Sequence, residues 1–224
     1  MKNTINKPVC IVVALEKEAE SFIEKANLKE RRKVADKKTY YGEFNGNEIV
    51  LTVSGIGKVS AALSAQALID GFSPRVVLNF GAVGGCGNVA AKNYYAVEKC
   101  CQYDFDLSEL DNVSVGYIQD YDRVFFDAYT KAADFLEKRA LATSDRFTCK
   151  ASDVETIKKL GCALFDMEGA AIAQVCASNG VPFCSIKGVT DVYGSGANSV
   201  QFQQNLKAVS DGFADIIEKV LNNL

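Results

Sequence analysis

The stretch Asp166–Asp191, DMEGAAIAQVCASNGVPFCSIKGVTD, decides the fold. Before it, CALFDM reads as a short apolar strand. Glu168–Asn179 then reads as a helix, and VPFCSIKGVTD as a second buried strand. A carboxylate stands at each turn of this strand–helix–strand unit: Asp166 and Glu168 at the first, Asp191 at the second. Such acids either cap helices or build a site.

Working outward, the same alternation recurs. Val9–Ala14 is an unbroken apolar run and reads as a buried strand. Glu16–Ala26 reads as a helix with Ala19, Phe22, Ile23 and Ala26 on one face. TYYGEF and EIVLTV flank Asn45-Gly46, the strongest short hairpin signal. SGIGKVSAALSAQALIDGF opens on a glycine turn and becomes a helix. RVVLNF is a strand, and GAVGGCGN after it is expected to be a glycine-rich loop. Further on, YYAVEKCCQYDFDL predicts a strand leading into a loop, and the 3–4 spacing of FFDAYTKAADFLEKR predicts a helix. ALATSDRF predicts a strand and turn. SDVETIKKLG predicts a short helix capped by Ser152 or Asp153, and Asn205–Leu224 an amphipathic terminal helix. Strands alternating with helices give an α/β fold: a three-layer sandwich with a mixed, twisted sheet between helices. With no linker or repeat in 224 residues, one domain over 1–224 is expected.

Composition narrows the chemistry. The net charge of −3 provides no basic footprint for nucleic acid. Histidine is absent, which excludes Ser-His-Asp and Cys-His nucleophile systems and His-ligated zinc. The eight cysteines form no C-x-x-C pair, and several sit in apolar runs, so they read as buried thiols of a reducing compartment. VCIVVAL is too short for a membrane span and is cut off by EKE. The expectation is a cytoplasmic protein with no membrane or nucleic-acid partner and no metal or cofactor.

Ligands of α/β sheets bind beyond the carboxyl ends of strands. Glu16 and Glu18, Asp166 and Glu168, and Asp191 all fall there, as do the glycine stretches SGIGK and GAVGGCG. If the strands run parallel, these features share one rim. SGIGK is not a P-loop, because Thr52 stands where the first Gly is required and Val59 follows Lys58. GAVGGCG does not fit G-x-G-x-x-G either. Its backbone at Ala82, Val83 and Gly84 can still approach a ligand closely. Without histidine, a carboxylate site is the better reading.

ALEKE, SGIGKVSAA, NFGAVGG, DMEGAAIAQVC and IKGVTD, in that order and spacing, resemble the nucleoside phosphorylase/nucleosidase superfamily. The branch resembled is that of the 5′-methylthioadenosine/S-adenosylhomocysteine nucleosidases. The likeness covers roughly Val9–Glu24, Glu48–Gly87 and Thr143–Lys219. It implies a nucleoside phosphorylase-like fold, a homodimer, and hydrolysis of the N-glycosidic bond between adenine and a 5′-thio-substituted ribose. It assigns Glu18 as the base acting on water, Asp191 as the acid at adenine N7 and Glu168 as acceptor of both ribose hydroxyls. Met167 would pack on the ribose, Phe147 would stack on adenine, and the backbone of Thr148 would read the base edge.

Phosphorolysis is the first alternative. A phosphate dianion needs cations, usually Arg. No Arg occurs between Met1 and Lys29, Asn79 stands where phosphorylases of this superfamily carry Arg, and Ala82 where a phosphate-binding Ser is common. Glu18 would also repel phosphate. Arg146 is the one residue against this reading, since its direction is not legible. Lys187 and Thr190 replace the Arg and Ser of many bacterial members and resemble the plant-type branch, which favours methylthioadenosine; Lys187 is expected to steady Glu168. Phe105, Leu107 and Val113 are candidates to reach the partner's site. A nucleoside-binding protein without turnover is the second alternative.

Overall fold

The computed structural model describes residues 7–147 and 150–224. Among the described residues the strands form one ten-stranded sheet. Its centre is β1 (Val9–Val13), which lies parallel to β4 (Asn47–Val53) on one side and to β5 (Val76–Gly85) on the other. β3 (Thr39–Phe44) pairs antiparallel with β4 across a two-residue turn, with Phe44 opposite Asn47. Asn45 (φ 49°) and Gly46 (φ 76°) supply the two left-handed residues that this turn demands. β2 (Lys29–Glu30) adds a short edge.

The other half of the sheet closes on itself. β5 pairs with β10 (Phe183–Val192) in parallel, and β10 with β6 (Tyr94–Gln102) antiparallel. β6 pairs with β8 (Lys138–Thr143), β8 with β9 (Leu164–Asp166), and β9 returns antiparallel to the end of β5. After β6 come a one-turn helix, α3 (Ser108–Asp111), and β7 (Phe126–Asp127), which lies on β6. Past the end of β1, β5 keeps β10 on one side, and β9 rejoins its other side only at Gly84 and Gly85.

Helices cover both faces. Side chains of β1 alternate between them, as strand geometry requires. Val9, Ile11 and Val13 join the core under α1 (Glu16–Lys25) and α6 (Asn198–Asn222), with Phe22, Phe80 and Phe213. Cys10 and Val12 join the core under α2 (Lys58–Phe72) and α5 (Gly169–Asn179), with Leu68, Ile172 and Cys176. The three-layer sandwich with a mixed sheet is as expected. The described cysteines are free and buried; Cys149 lies outside the described residues.

Four local expectations need correction. FFDAYTKAADFLEKR is not a helix; it holds β7 and a short 3₁₀ turn, Lys131–Ala133. Phe126 packs in one face's core, whereas Ala132 and Ala133 pack in the other's, and one helix stripe cannot serve both. GAVGG is not a loop; it continues β5, because β10 and β9 both claim its backbone. The terminal helix starts at Asn198, not Asn205. The helix α4 (Ala151–Lys159) starts after Lys150, whose amide donates to Asp153 Oδ2 at 3.1 Å, so Asp153 caps from inside the first turn.

The β5–β9 crossing rests on Gly84, where a Cβ would lie 2.0 Å from the Phe165 ring. Gly84→Ala is expected to lower unfolding free energy by about 2 kcal/mol or more, as overpacked sites do, measured by urea denaturation.

Candidate active site

β1 ends at Val13, level with Phe80, so the second half of β5 projects beyond it beside β10. The step leaves a cavity of about 570 Å³, open mouth included. Glu18, Ala82, Val83, Gly84, Phe147, Met167, Glu168 and Asp191 line it, as the sequence suggested. Asp166 lines it too, although β9 arrives antiparallel to β5, so the acids do not all come from parallel strand ends.

Glu18 is buried at the third position of α1 and reaches back over the helix start. Its Oε2 accepts from Leu15 N at 2.9 Å and its Oε1 from Ala82 N at 2.8 Å. The carboxylate lies flat on Gly81, where a Cβ would come within 2.9 Å of Oε1. Burial raises its pKa, against the two amide donors and the charge of Lys187. Glu16 instead faces out and pairs with Lys38 at 2.6 Å.

Glu168 is the N-cap of α5. Its Oε1 accepts from Gly57 N at 2.8 Å, at the start of α2. Burial, with the charge of Asp166 next, pushes its pKa up to about 8, although Lys187 and the Gly57 amide oppose the shift. Asp191 follows a register shift between Val189 and Asp191. This bulge places the Thr190 hydroxyl 3.1 Å from Val83 O and 2.7 Å from Asp191 Oδ1, so its one proton is shared between two acceptors. Burial raises the Asp191 pKa, and the Thr190 hydroxyl opposes it. The upward shift favours the proton-carrying carboxyl, the form that can donate to a leaving group.

Lys187 and Thr190 do not line the cavity; Thr190 shapes Asp191 from behind. Lys187, 2% exposed, binds Asp166 Oδ2 at 2.9 Å, so its direct partner is Asp166 and not Glu168. Asp166 also accepts from Thr143 Oγ1 at 2.6 Å and from Gly169 N at 2.9 Å. Burial works against the ammonium, but Asp166, Glu168 and Glu18 outweigh it and raise its pKa. Thr148 lies outside the described residues.

Sequence reasoning missed the far wall. Ile56 and Phe202 line the cavity, and Phe202 meets Phe147 edge to face at 5.3 Å. Starting the terminal helix at Asn205 left Phe202 without an element. Phe147 is 46% exposed, an aromatic face open to a ligand. Arg146 lines the cavity too, and its guanidinium pairs with Asp153 at 3.0 Å. Among the described residues no group of three or more metal-ligating side chains is arranged to hold an ion.

The sequence model of the phosphorylase superfamily matches residues 8–222. The 5′-methylthioadenosine/S-adenosylhomocysteine nucleosidase of Staphylococcus carnosus (strain TM300) is 30% identical over 231 residues, covering 96% of this chain and 99% of that protein. The nucleosidase of the same name from Geobacillus sp. (strain WCH70) is 31% identical over 237 residues, covering 96% and 98%. Among solved structures, the Neisseria meningitidis nucleosidase in complex with methylthio-immucillin-A is 26% identical, with a TM-score of 0.87 over 97% of this chain and 100% of that one. Futalosine hydrolase of Helicobacter pylori (strain 26695) has a TM-score of 0.89 over 98% and 99% of the two chains, but at 21% identity it shows the fold alone. Over nearly its whole length, therefore, the chain belongs to the phosphorylase superfamily and, within it, to the 5′-methylthioadenosine/S-adenosylhomocysteine nucleosidases.

Proposed function

We propose that this N-glycosyl hydrolase cleaves 5′-methylthioadenosine through Glu18, Glu168 and Asp191, releasing adenine and the thioribose, with S-adenosylhomocysteine as the second substrate to test. The observation that carries the reading is the buried Glu18 carboxylate, held by two backbone amides beneath a cavity that Glu168 and Asp191 also line. A carboxylate has about four lone-pair sites, so Glu18 keeps acceptors for a water molecule. Water adds to the anomeric carbon and gives its proton to Glu18. The C–N bond electrons leave with adenine, whose N7 takes a proton from Asp191. The two ribose hydroxyls donate to Glu168, which favours its ionised form, and that charge favours a developing sugar cation. Met167 packs on the ribose. Phe147, backed by Phe202, stacks on the base, and the strand backbone at Ala82, Val83 and Gly84 forms the floor.

Water is favoured over phosphate because Lys187 and Arg146 are already engaged, by Asp166 and by Asp153. Glu18 adds like-charge repulsion at the attack position.

The protein acts as a single domain and a homodimer in the cytoplasm, with no nucleic-acid or membrane partner. Ile56, Val59 and Leu63 at the start of α2 form an exposed apolar face suited to a second copy. Leu107 and Val113 line a separate surface pocket, away from this chain's own cavity, which fits a role in the partner's site. No described helix is long and apolar enough to cross a membrane.

Purified protein is expected to release adenine from 5′-methylthioadenosine without phosphate; adenine only with phosphate overturns hydrolysis. Glu18→Gln is expected to lower kcat by about 10²–10⁴-fold, the usual worth of a general base, while still binding nucleoside. A near-normal rate in that variant sinks the mechanism. For the empty protein, the sign of the pH dependence follows from Glu168. Its pKa rises from 4.5 to about 8 on folding, so the stability is complete below the unfolded value and is lost as pH climbs to about 8. Glu168→Gln is expected to flatten the fall in melting temperature across this window, read by thermal scans at several pH values.

A further inference from the structure

The helix α2 begins without a cap of its own. Its N-cap is Gly57, and its first turn carries no acid. The orphan amides there are taken by carboxylates from distant segments. Gly57 N donates to Glu168 Oε1 at 2.8 Å, and Lys58 N donates to Asp145 Oδ1, also at 2.8 Å. Gly57 stands at φ 100°, where L side chains rarely sit, and a Cβ there would lie 3.1 Å from Asp145 Oδ1. Successive amides can therefore serve two different acids.

Asp145 is itself held. Its backbone N donates to Asp104 Oδ2 at 3.0 Å, and Asp104 Oδ1 takes the Lys58 ammonium at 2.7 Å. The circuit runs from Lys58 N through Asp145 and Asp104 back to Lys58 Nζ. The Lys58 and Asp104 side chains are only 18% and 14% exposed, so the pair is shielded from the screening that weakens surface ion pairs. Two more bonds join the same segments: Tyr103 N to Thr143 O at 3.1 Å, and Ser144 Oγ to Tyr103 Oη at 2.6 Å.

None of Lys58, Asp104 and Asp145 lines the cavity, but the circuit adjoins residues that do on both sides. On one side, Lys58 follows the Gly57 amide that orients Glu168. On the other, Asp145 lies two residues before Phe147. We propose that Lys58, Asp104 and Asp145 form a positioning latch that sets the ribose-holding Glu168 and the base-stacking Phe147 in register with each other. The inference rests on the reading that these two residues hold substrate.

The test uses the Glu18→Gln protein, in which bound nucleoside persists, and measures 5′-methylthioadenosine affinity by calorimetry. Lys58→Met and Asp104→Asn are each expected to weaken binding about tenfold or more, the scale of one charged hydrogen bond. The double variant is expected to be no worse than either single one, and Lys58→Arg is expected to retain most of the affinity. Hydrogen exchange at the Gly57 and Lys58 amides is expected to quicken in the folded Lys58→Met protein. Unchanged affinity, losses that multiply in the double variant, or unchanged exchange at both amides overturns the latch. Turnover by the parent enzyme is assayed in parallel. A parent that binds but does not hydrolyse overturns the proposed function, and the exchange and affinity results still decide the latch.

Discussion

One buried cation underlies the site. Lys187 on β10 sits among Asp166, Glu168 and Glu18, which come from β9, the start of α5 and the start of α1. Charges taken out of water are costly unless paired and hydrogen-bonded. Asp166 meets that condition through Lys187, Thr143 and the Gly169 amide. Glu18 and Glu168 meet it only in part, through backbone amides and the shared field of Lys187, so burial still raises the pKa of both. Without the cation, three carboxylates in one cavity would repel one another or be forced to take up protons. The ion pair therefore makes it possible to keep two further acids close to a substrate.

The second constraint is steric. β5 must pass directly beneath a carboxylate and then beneath an aromatic ring. Gly81 leaves room for Glu18, and Gly84 leaves room for Phe165. Glycine serves here for its missing side chain, while the backbone stays extended, paired with β10 at Gly81 and with β10 and β9 at Gly84. The same run that looks like a loop in the sequence is thereby the floor of the cavity.

Much of the fold was legible because apolar runs and helical spacing report burial directly. β1, β3, β4, α1, α2, α5 and β10 all lie where their patterns place them. The acids were legible by type and by position at strand ends, and the motifs around them carried the family. Other features depended on contacts far apart in sequence. FFDAYTKAADFLEKR has helical spacing, but its apolar residues divide between two cores. Lys187 was matched to Glu168, whereas Asp166 takes it, because β10 and β9 are brought together through β5, a property of the closed sheet. Phe202 carries no local signal, since its place over Phe147 comes from how α6 crosses the cavity.

The sequence by itself determined the alternation of strands and helices and a chemistry without histidine, and its motifs singled out Glu18, Glu168 and Asp191 through a family resemblance. Periodicity, composition and motif order are local properties, and they survive without coordinates. Only the tertiary structure decided which acid faces which donor. Glu18 lies on Ala82, Glu168 on Gly57, and Asp191 behind a Thr190 bulge, while Asp166 is spent on Lys187. Those pairings set each group's charge state, because burial and the nearest partner govern a carboxylate's proton far more than its neighbours in the chain.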